Sequence, residues 1–313
     1  MDNHLESTFE FICPSCRGPL VWESKEKACC PADGRVYRRE AGIWRFLLPE
    51  RWEYYRQFIE EYECVRKTEG RGMDDPRYYR QLPFRDISGR FTADWRIRSR
   101  SFQALEEGLI VPLEASANRP LKILDLGAGN CWLTNRLAQR GHQIAAVDLL
   151  TNARDGLGAR PQYQTRFTSI QAEFERLPFI DDQVDLAIFN ASFHYAEDYG
   201  SVLRETVRVL TPKGQLVLLD SPVYNDPTSG DAMVREREQI YQQKFGFPSN
   251  ALSSLNFLTY SQMDELADRL GLEWEIREPF YGIRWALRPL RARLTGKREP
   301  ARFLLITGRR LER

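Results

Sequence analysis

Two stretches of this sequence carry residues whose types and spacing could do chemistry. The longer, ILDLGAGNCWLTNRLAQRGHQIAAVDLL, spans residues 123–150 and sets Asp125, Gly127 and Gly129 around the end of one apolar run and Asp148 at the end of the next. Glycines lack a Cβ, so a turn built on them can approach a ligand closely and adopt dihedrals that other residues avoid. A helix starting near Asn130 would add free backbone amides. Asp148, closing the second run, stands where a carboxylate can accept two hydrogen bonds from a ribose diol. The combination suits a nucleoside ligand. A nicotinamide dinucleotide fits less well, because its G-x-G-x-x-G turn needs glycine where Trp132 stands.

The shorter stretch opens with C-P-S-C, whose Cys13 and Cys16 are spaced so that two thiolates of one turn reach a tetrahedral zinc ion. Downstream, Cys30-Pro-Ala-Asp33 repeats the gap with a carboxylate in place of a thiolate. Zinc accepts carboxylate oxygen, so Cys13, Cys16, Cys30 and Asp33 form a chemically reasonable structural site, with Cys29 and His4 as other candidates. The chain has 6 cysteines, and the crowding between Cys13 and Cys30 is that of a metal site and not of a disulfide framework.

The rest of the chain must position these groups. At 313 residues it can bury a substantial core, and one large domain with a small appendage is expected. Lys and Arg total 45 against 44 Asp and Glu, so no global field recruits nucleic acid or an anionic membrane. A local basic cluster between Arg284 and Arg313 faces only Glu299 and Glu312 and reads as a solvated face and tail. No apolar run approaches the length of a membrane span, and MDNHLESTFE lacks the pattern of a secretory signal, so a cytoplasmic protein is expected.

Residues 11–48 offer short strand-like runs, Leu20 to Trp22 and Arg35 to Tyr37, between Cys, Pro and Gly turns. That is too little apolar material for an independent core, and a cross-linking ion is expected to supply what packing cannot. Trp52, Tyr55, Ile59 and Tyr62 recur at helical spacing, and a second helix carries Trp95, Phe102, Leu105 and Leu109. Between them EGRGMDDPRYYRQLPFRDISGR reads as an ordered loop or cap. Beyond Arg119 the runs LKILDL, QIAAVD, FTSIQ, VDLAIFN and QLVLLD alternate with helical or polar segments. The predicted fold is therefore α/β, a Rossmann-like, doubly wound, mostly parallel sheet covered on both faces. Ligands of such sheets sit outside the carboxyl ends of the strands, beside the reversal of strand order.

D-x-G-x-G followed by an acid after the next strand resembles the S-adenosylmethionine site of class I methyltransferases, those of the type 11 kind. The resemblance implies that Asp125 opens the loop, that Gly127 and Gly129 line the methionine part of S-adenosylmethionine, and that Asp148 holds its ribose. The family usually has a third glycine where Cys131 stands. Within the first helical turn a cysteine fits there as a small hydrophobe, buried and inert. The likeness continues across residues 120–221. AEFERLPFIDDQVDLAIFNASFHYAED looks like the family's segment in which Glu173 and Phe174 would meet adenine, and RVLTPKGQLVLLD like the helix, turn and strand that follow. Asn190, which closes VDLAIFN, is counted with the cofactor-binding residues.

Acceptor groups are expected just after the fourth and fifth strands, at Asn190, Ser192, Phe193, His194 and Tyr195, then at Asp220, Ser221 and Tyr224. His194 is the candidate general base, because imidazole titrates near neutrality. N-A-S-F departs from the N-P-P-Y of methyltransferases acting on exocyclic amino groups of bases. Inserts at 222–259 and 279–300, with Tyr78 and Tyr79, are expected to form part of the acceptor pocket, and of the two roles open to these tyrosines, contact with an aromatic acceptor and packing of the cap against the sheet, packing is the one expected. The cysteine-bearing segment resembles the zinc ribbon of bacterial rRNA guanine methyltransferases and the small zinc-binding activator subunit of eukaryotic methyltransferases. That resemblance implies contact with RNA, a partner protein or the chain's own catalytic domain.

These readings divide the chain into a zinc-ribbon-like module (1–50), a helical cap (51–118) and a methyltransferase domain (119–313). The expected activity is S-adenosylmethionine-dependent methyl transfer to a small molecule, because the balanced charge offers no broad phosphate-binding surface. RNA methylation, of rRNA or tRNA, through the ribbon is the alternative. A non-catalytic, zinc-dependent binding or scaffold protein is the third reading.

Overall fold

A computed structural model describes residues 8–311, so His4 lies outside the described residues. The N-terminal segment forms four short strands, β1 (Val21–Ser24), β2 (Lys27–Cys29), β3 (Val36–Glu40) and β4 (Ile43–Arg45), joined antiparallel. Helices α1 (Pro49–Glu69), α2 (Pro76–Gln81) and α3 (Thr92–Leu105) follow, and a π-helical turn at Glu106–Ile110 carries α3 into α4 (Val111–Ala117). The alternating region gives β5 (Lys122–Leu126), α5 (Trp132–Gln139), β6 (Gln143–Asp148), β7 (Thr168–Gln171), β8 (Val184–Asn190), α6 (Tyr199–Val209) and β9 (Leu210–Tyr224). The chain ends through α7 (Pro227–Phe245), β10 (Leu258–Thr259), α8 (Tyr260–Leu270), β11 (Leu272–Arg277), α9 (Ile283–Ala286), α10 (Arg288–Leu294) and β12 (Arg302–Arg310).

The strands join in the order β1-β2-β3-β4-β7-β6-β5-β8-β9-β12-β11, with β10 beside β9. Pairing is parallel from β4 to β9 and antiparallel from β9 to β11. Strand order reverses at β5, between β6 on one side and β8 on the other. The apolar runs of these central strands are buried because helices cover both faces, as the run pattern requires.

Two departures from expectation have physical causes. The N-terminal segment does not stand apart: β4 pairs in parallel with β7, and Phe11 bridges to Phe179, their rings 5.5 Å apart. Phe9, Tyr37, Trp44 and Phe46 are buried in the same apolar cluster as Ile170, Leu177 and Phe179 of the sheet. The aromatic residues that were too few for a separate core are enough to extend an existing one. The loop between the first two helices also contains α2, which Pro76 starts and Asp75 caps by accepting from the Arg77 amide at 2.9 Å. Tyr78 and Tyr79 on α2 are buried in the cap, where the Tyr79 hydroxyl donates to backbone carbonyl oxygen within 2.8 Å at Met73.

Because this cluster is shared, Phe46→Ala should destabilise the whole molecule by about 3–5 kcal/mol, the cost of emptying a buried aromatic site. Urea unfolding followed by both far-ultraviolet circular dichroism and tryptophan fluorescence should show one coincident, shifted transition. An early separate transition confined to the N-terminal segment would refute the shared core.

Candidate functional site

A cavity enclosing about 760 Å³, including space open to solvent, lies at the carboxyl ends of β5, β6 and β8, beside the reversal of strand order. Gly127, Gly129, Asp148, Glu173, Phe174 and Ser192 form its sheet side, and Tyr55, Phe58, Tyr62 and Arg66 of α1 close the other. The turn after β5 is shaped by sterics. Gly127 has φ +80°, and a Cβ there would stand 2.2 Å from that of Ser192. Ser192 is itself fixed by donating to the Leu126 carbonyl at 2.5 Å.

The loop amides are engaged. Gly127 and Ala128 donate to the Val147 carbonyl at 2.8 and 3.1 Å, and Gly129 donates to Asp148 Oδ2 at 2.7 Å. The helix begins at Trp132 and not near Asn130, and its amides are partly taken, Trp132 by Asn130 Oδ1 at 3.3 Å and Thr134 by Asp125 Oδ2 at 3.0 Å. Cys131 is not in the first turn. It is the residue before it, in the left-handed region at φ +64°, a conformation in which the glycine usual to the family would carry no strain. Its thiol is buried, which pushes its pKa well up and leaves it inert.

The polar cofactor residues predicted from sequence divide into two groups. Asp148 and Glu173 face the cavity, whereas Asp125 and Asn190 are buried but form no part of its wall. Asp125 lies beneath the turn and accepts from both the amide and, at 2.6 Å, the hydroxyl of Thr134. Burial pushes its carboxyl up to about 7, that of Asp148 up to about 6, and that of Glu175, a further wall residue, up to about 7. Asp148 accepts from the Gly129 and Leu150 amides through opposite oxygens, so each oxygen keeps a lone pair for another donor.

Helix α1 supplies wall residues that the sequence reading did not assign. Tyr55, Phe58, Tyr62 and Arg66 fall on one helical stripe, and the repeating aromatics were the available signal. Arg51 donates to Glu173 at 2.6 Å, and Arg66 pairs with Asp155, so α1 is fastened across the cavity at both ends.

His194 is buried outside this wall, with Nδ1 3.3 Å from the Ser221 hydroxyl. Burial, with help from Arg237 and Arg98, pushes its pKa down to about 3, so it stays neutral and is a weak base. Tyr78 and Tyr79 lie in the cap core and not in a pocket. The 222–259 insert reaches the cavity through Leu252, whereas residues 279–300 form a separate surface cleft with Tyr281 and Trp285.

Far from this cavity, the three Sγ atoms of Cys13, Cys16 and Cys30 and one carboxylate oxygen of Asp33 lie within 4.8 Å of one another. Cys29 is not part of the cluster. Within the basic C-terminal stretch Arg298 pairs with Glu236, Arg302 with Glu278, Arg309 with Glu273 and Arg310 with Asp182, whereas Arg284, Arg288, Arg291, Arg293 and Lys297 make no ion pair among the described residues. Among the described residues no helix is long and apolar enough to cross a membrane.

Gly127→Ala should cost about 2 kcal/mol or more of stability, from an unfavourable positive φ together with the Ser192 contact. Urea denaturation measures this, and an unchanged midpoint would mean the turn is not so constrained.

Residues 124–218 match the family described as a methyltransferase domain. Malonyl-acyl-carrier-protein O-methyltransferase of Halorhodospira halophila is 32% identical over 111 residues, 35% of this chain and 38% of that protein. Demethylmenaquinone methyltransferase of Deinococcus radiodurans is 35% identical over 123 residues, 37% of this chain and 48% of that protein. The chain thus matches less than half the length of either relative. Among solved structures, the 1,6-didemethyltoxoflavin-N1-methyltransferase of Burkholderia thailandensis aligns over 94% of this chain and 99% of its own, at 16% identity and a TM-score of 0.48. With the glycine turn and the strand order around it, the family match places in this chain a class I, S-adenosylmethionine-dependent methyltransferase domain.

Proposed function

We propose that the protein is an S-adenosylmethionine-dependent methyltransferase acting on a small molecule. The observation that carries this reading is the meeting of Gly127, Gly129, Asp148, Glu173 and Phe174 in one cavity at the switch point. The residues fit the cofactor. Asp148 keeps a lone pair on each oxygen for the ribose hydroxyls, and Glu173 Oε1 is buried without a hydrogen-bond partner beside Phe174, where the adenine amino group would find an acceptor and an aromatic neighbour. Gly127 and Gly129 admit the methionine part.

When bound, S-adenosylmethionine supplies a methyl group on a sulfonium, which an acceptor atom displaces in line. The chain's own contribution is alignment and exclusion of water, which the aromatic side chains of α1 provide over the cavity. The relatives' names support a small acceptor, since one is named for a malonyl-acyl carrier protein and one for demethylmenaquinone.

In the same reading residues 1–50 carry a structural zinc ion, with 51–118 as the cap and 119–313 as the catalytic domain. Cys13, Cys16, Cys30 and Asp33 would hold the ion, a donor set that zinc accepts and whose atoms are already gathered.

Asp148→Ala should weaken S-adenosylhomocysteine binding, read by calorimetry, by about 1–3 kcal/mol. The wild-type carboxyl titrates at about 6, so the ionised acceptor is present above that pH and lost below it, and affinity should fall as the pH is lowered through about 6. Unchanged affinity in the variant would remove the ribose assignment. For the metal, purified protein should contain about one zinc per chain by plasma mass spectrometry, and Cys16→Ser should lose it and melt at a lower temperature. Metal-free wild-type protein that melts as stably as the zinc-supplemented form would rule the site out.

A further inference from the structure

A second chamber, of about 760 Å³ including its open mouth, adjoins the first and shares Phe58, Tyr62, Arg66, Tyr195 and Leu252 with it. The three rings contact one another at centroid distances of 5.7 to 6.0 Å. Its far side is built by the 222–259 insert, with Arg237 and Tyr241 on α7 and Asn256 in the loop beyond. Three arginines line it, and two are already neutralised. Arg66 pairs with Asp155, and Arg71 pairs with Glu69 at 2.8 Å and with Asp94.

Arg237 differs. Its Nη1 donates to the Asn256 side-chain oxygen at 3.0 Å, while Nε and Nη2 are buried with no hydrogen-bond partner, and it makes no ion pair among the described residues. Nε and Nη2 share one edge of the planar guanidinium and present two parallel N–H donors, the fork that matches a carboxylate. A buried cation with two empty donors is costly to keep, and an anion seated on that edge removes the cost. Asn256 engages Nη1 and leaves this fork as the unpartnered part of a guanidinium that lines the chamber.

We propose that the second chamber is the acceptor site and that Arg237 binds a carboxylate of the methyl acceptor, whose planar or aromatic body lies against Phe58, Tyr62, Tyr195 and Tyr241. The proposal rests on the cofactor reading above, which places the methyl donor in the adjoining cavity. Arg237 is then a specificity residue, since a neutral analogue would leave both donors unpaired.

The test is calorimetric titration of the full chain saturated with S-adenosylhomocysteine, using benzoate, its neutral isostere benzamide, and phenyl phosphate as probes. Benzoate should bind saturably and about tenfold or more tighter than benzamide, as expected for a charge-assisted pair of hydrogen bonds. Benzoate tighter than phenyl phosphate marks a carboxylate site, and the reverse order would overturn the carboxylate assignment. Arg237→Gln should erase the benzoate preference, leave S-adenosylhomocysteine affinity within about twofold, and melt no lower than wild type, because an unpaired buried cation is removed. Arg237→Lys, which keeps the charge but not the fork, should recover only part of the preference. Intact S-adenosylhomocysteine binding with equal response to benzoate and benzamide would overturn this proposal alone. Failure of folded wild-type protein to bind S-adenosylhomocysteine would overturn the cofactor reading and this one with it.

Discussion

The turn between β5 and α5 is clamped by two buried carboxylates, and the cavity takes its shape from that clamp. Asp125 accepts from the amide and hydroxyl of Thr134 below, and Asp148 accepts from the Gly129 amide above. Each would be costly to bury alone, and both are pushed up toward neutrality by that burial. The hydrogen bonds from the loop offset part of that cost and fix the backbone between them. With the backbone fixed, Ser192 can approach Gly127 and Phe174 can stand against Phe189, their rings 5.2 Å apart. The floor of the site is rigid for the same reason that it is polar.

The lid is of a different kind. Helix α1 is fastened across the cavity by side-chain ion pairs, Arg51 to Glu173 and Arg66 to Asp155, and by aromatic rings. Neither fastening uses backbone hydrogen bonds to the sheet, so α1 can be displaced without breaking a strand pairing. Glu173 serves both parts, as the partner of Arg51 on α1 and as a wall of the cavity.

The central fold was legible in the sequence because continuous apolar runs separated by helical periods admit few arrangements other than a covered parallel sheet. Gly127, Asp148 and the Cys13, Cys16, Cys30 and Asp33 cluster were legible for a similar reason, since local spacing alone brings their chemistry together. What was not legible came from contacts between distant segments. Nothing near Arg66 announces Asp155, nothing near Arg237 announces its two buried donors without a partner, and the enclosure of His194 depends on elements that pack over it from elsewhere. Asp125 shows a subtler limit: it opens the motif, but its side chain accepts from Thr134 beneath the turn, a choice that local spacing does not reveal. That the cysteine-bearing segment joins the main sheet was not legible, because its aromatic residues count toward a core only when β7 is beside it.

That last pairing has a consequence for how the molecule meets its own copies. A parallel sheet ending at β7 would present a row of unpaired amides and carbonyls, a template for another chain's strand. Here β4 occupies that row, and the sheet continues through β3 and β2 to β1, whose short, bulged VWES strand makes a poor template. The N-terminal segment therefore guards a sheet edge, and whatever holds Cys13, Cys16, Cys30 and Asp33 together also helps keep the protein from sticking to itself.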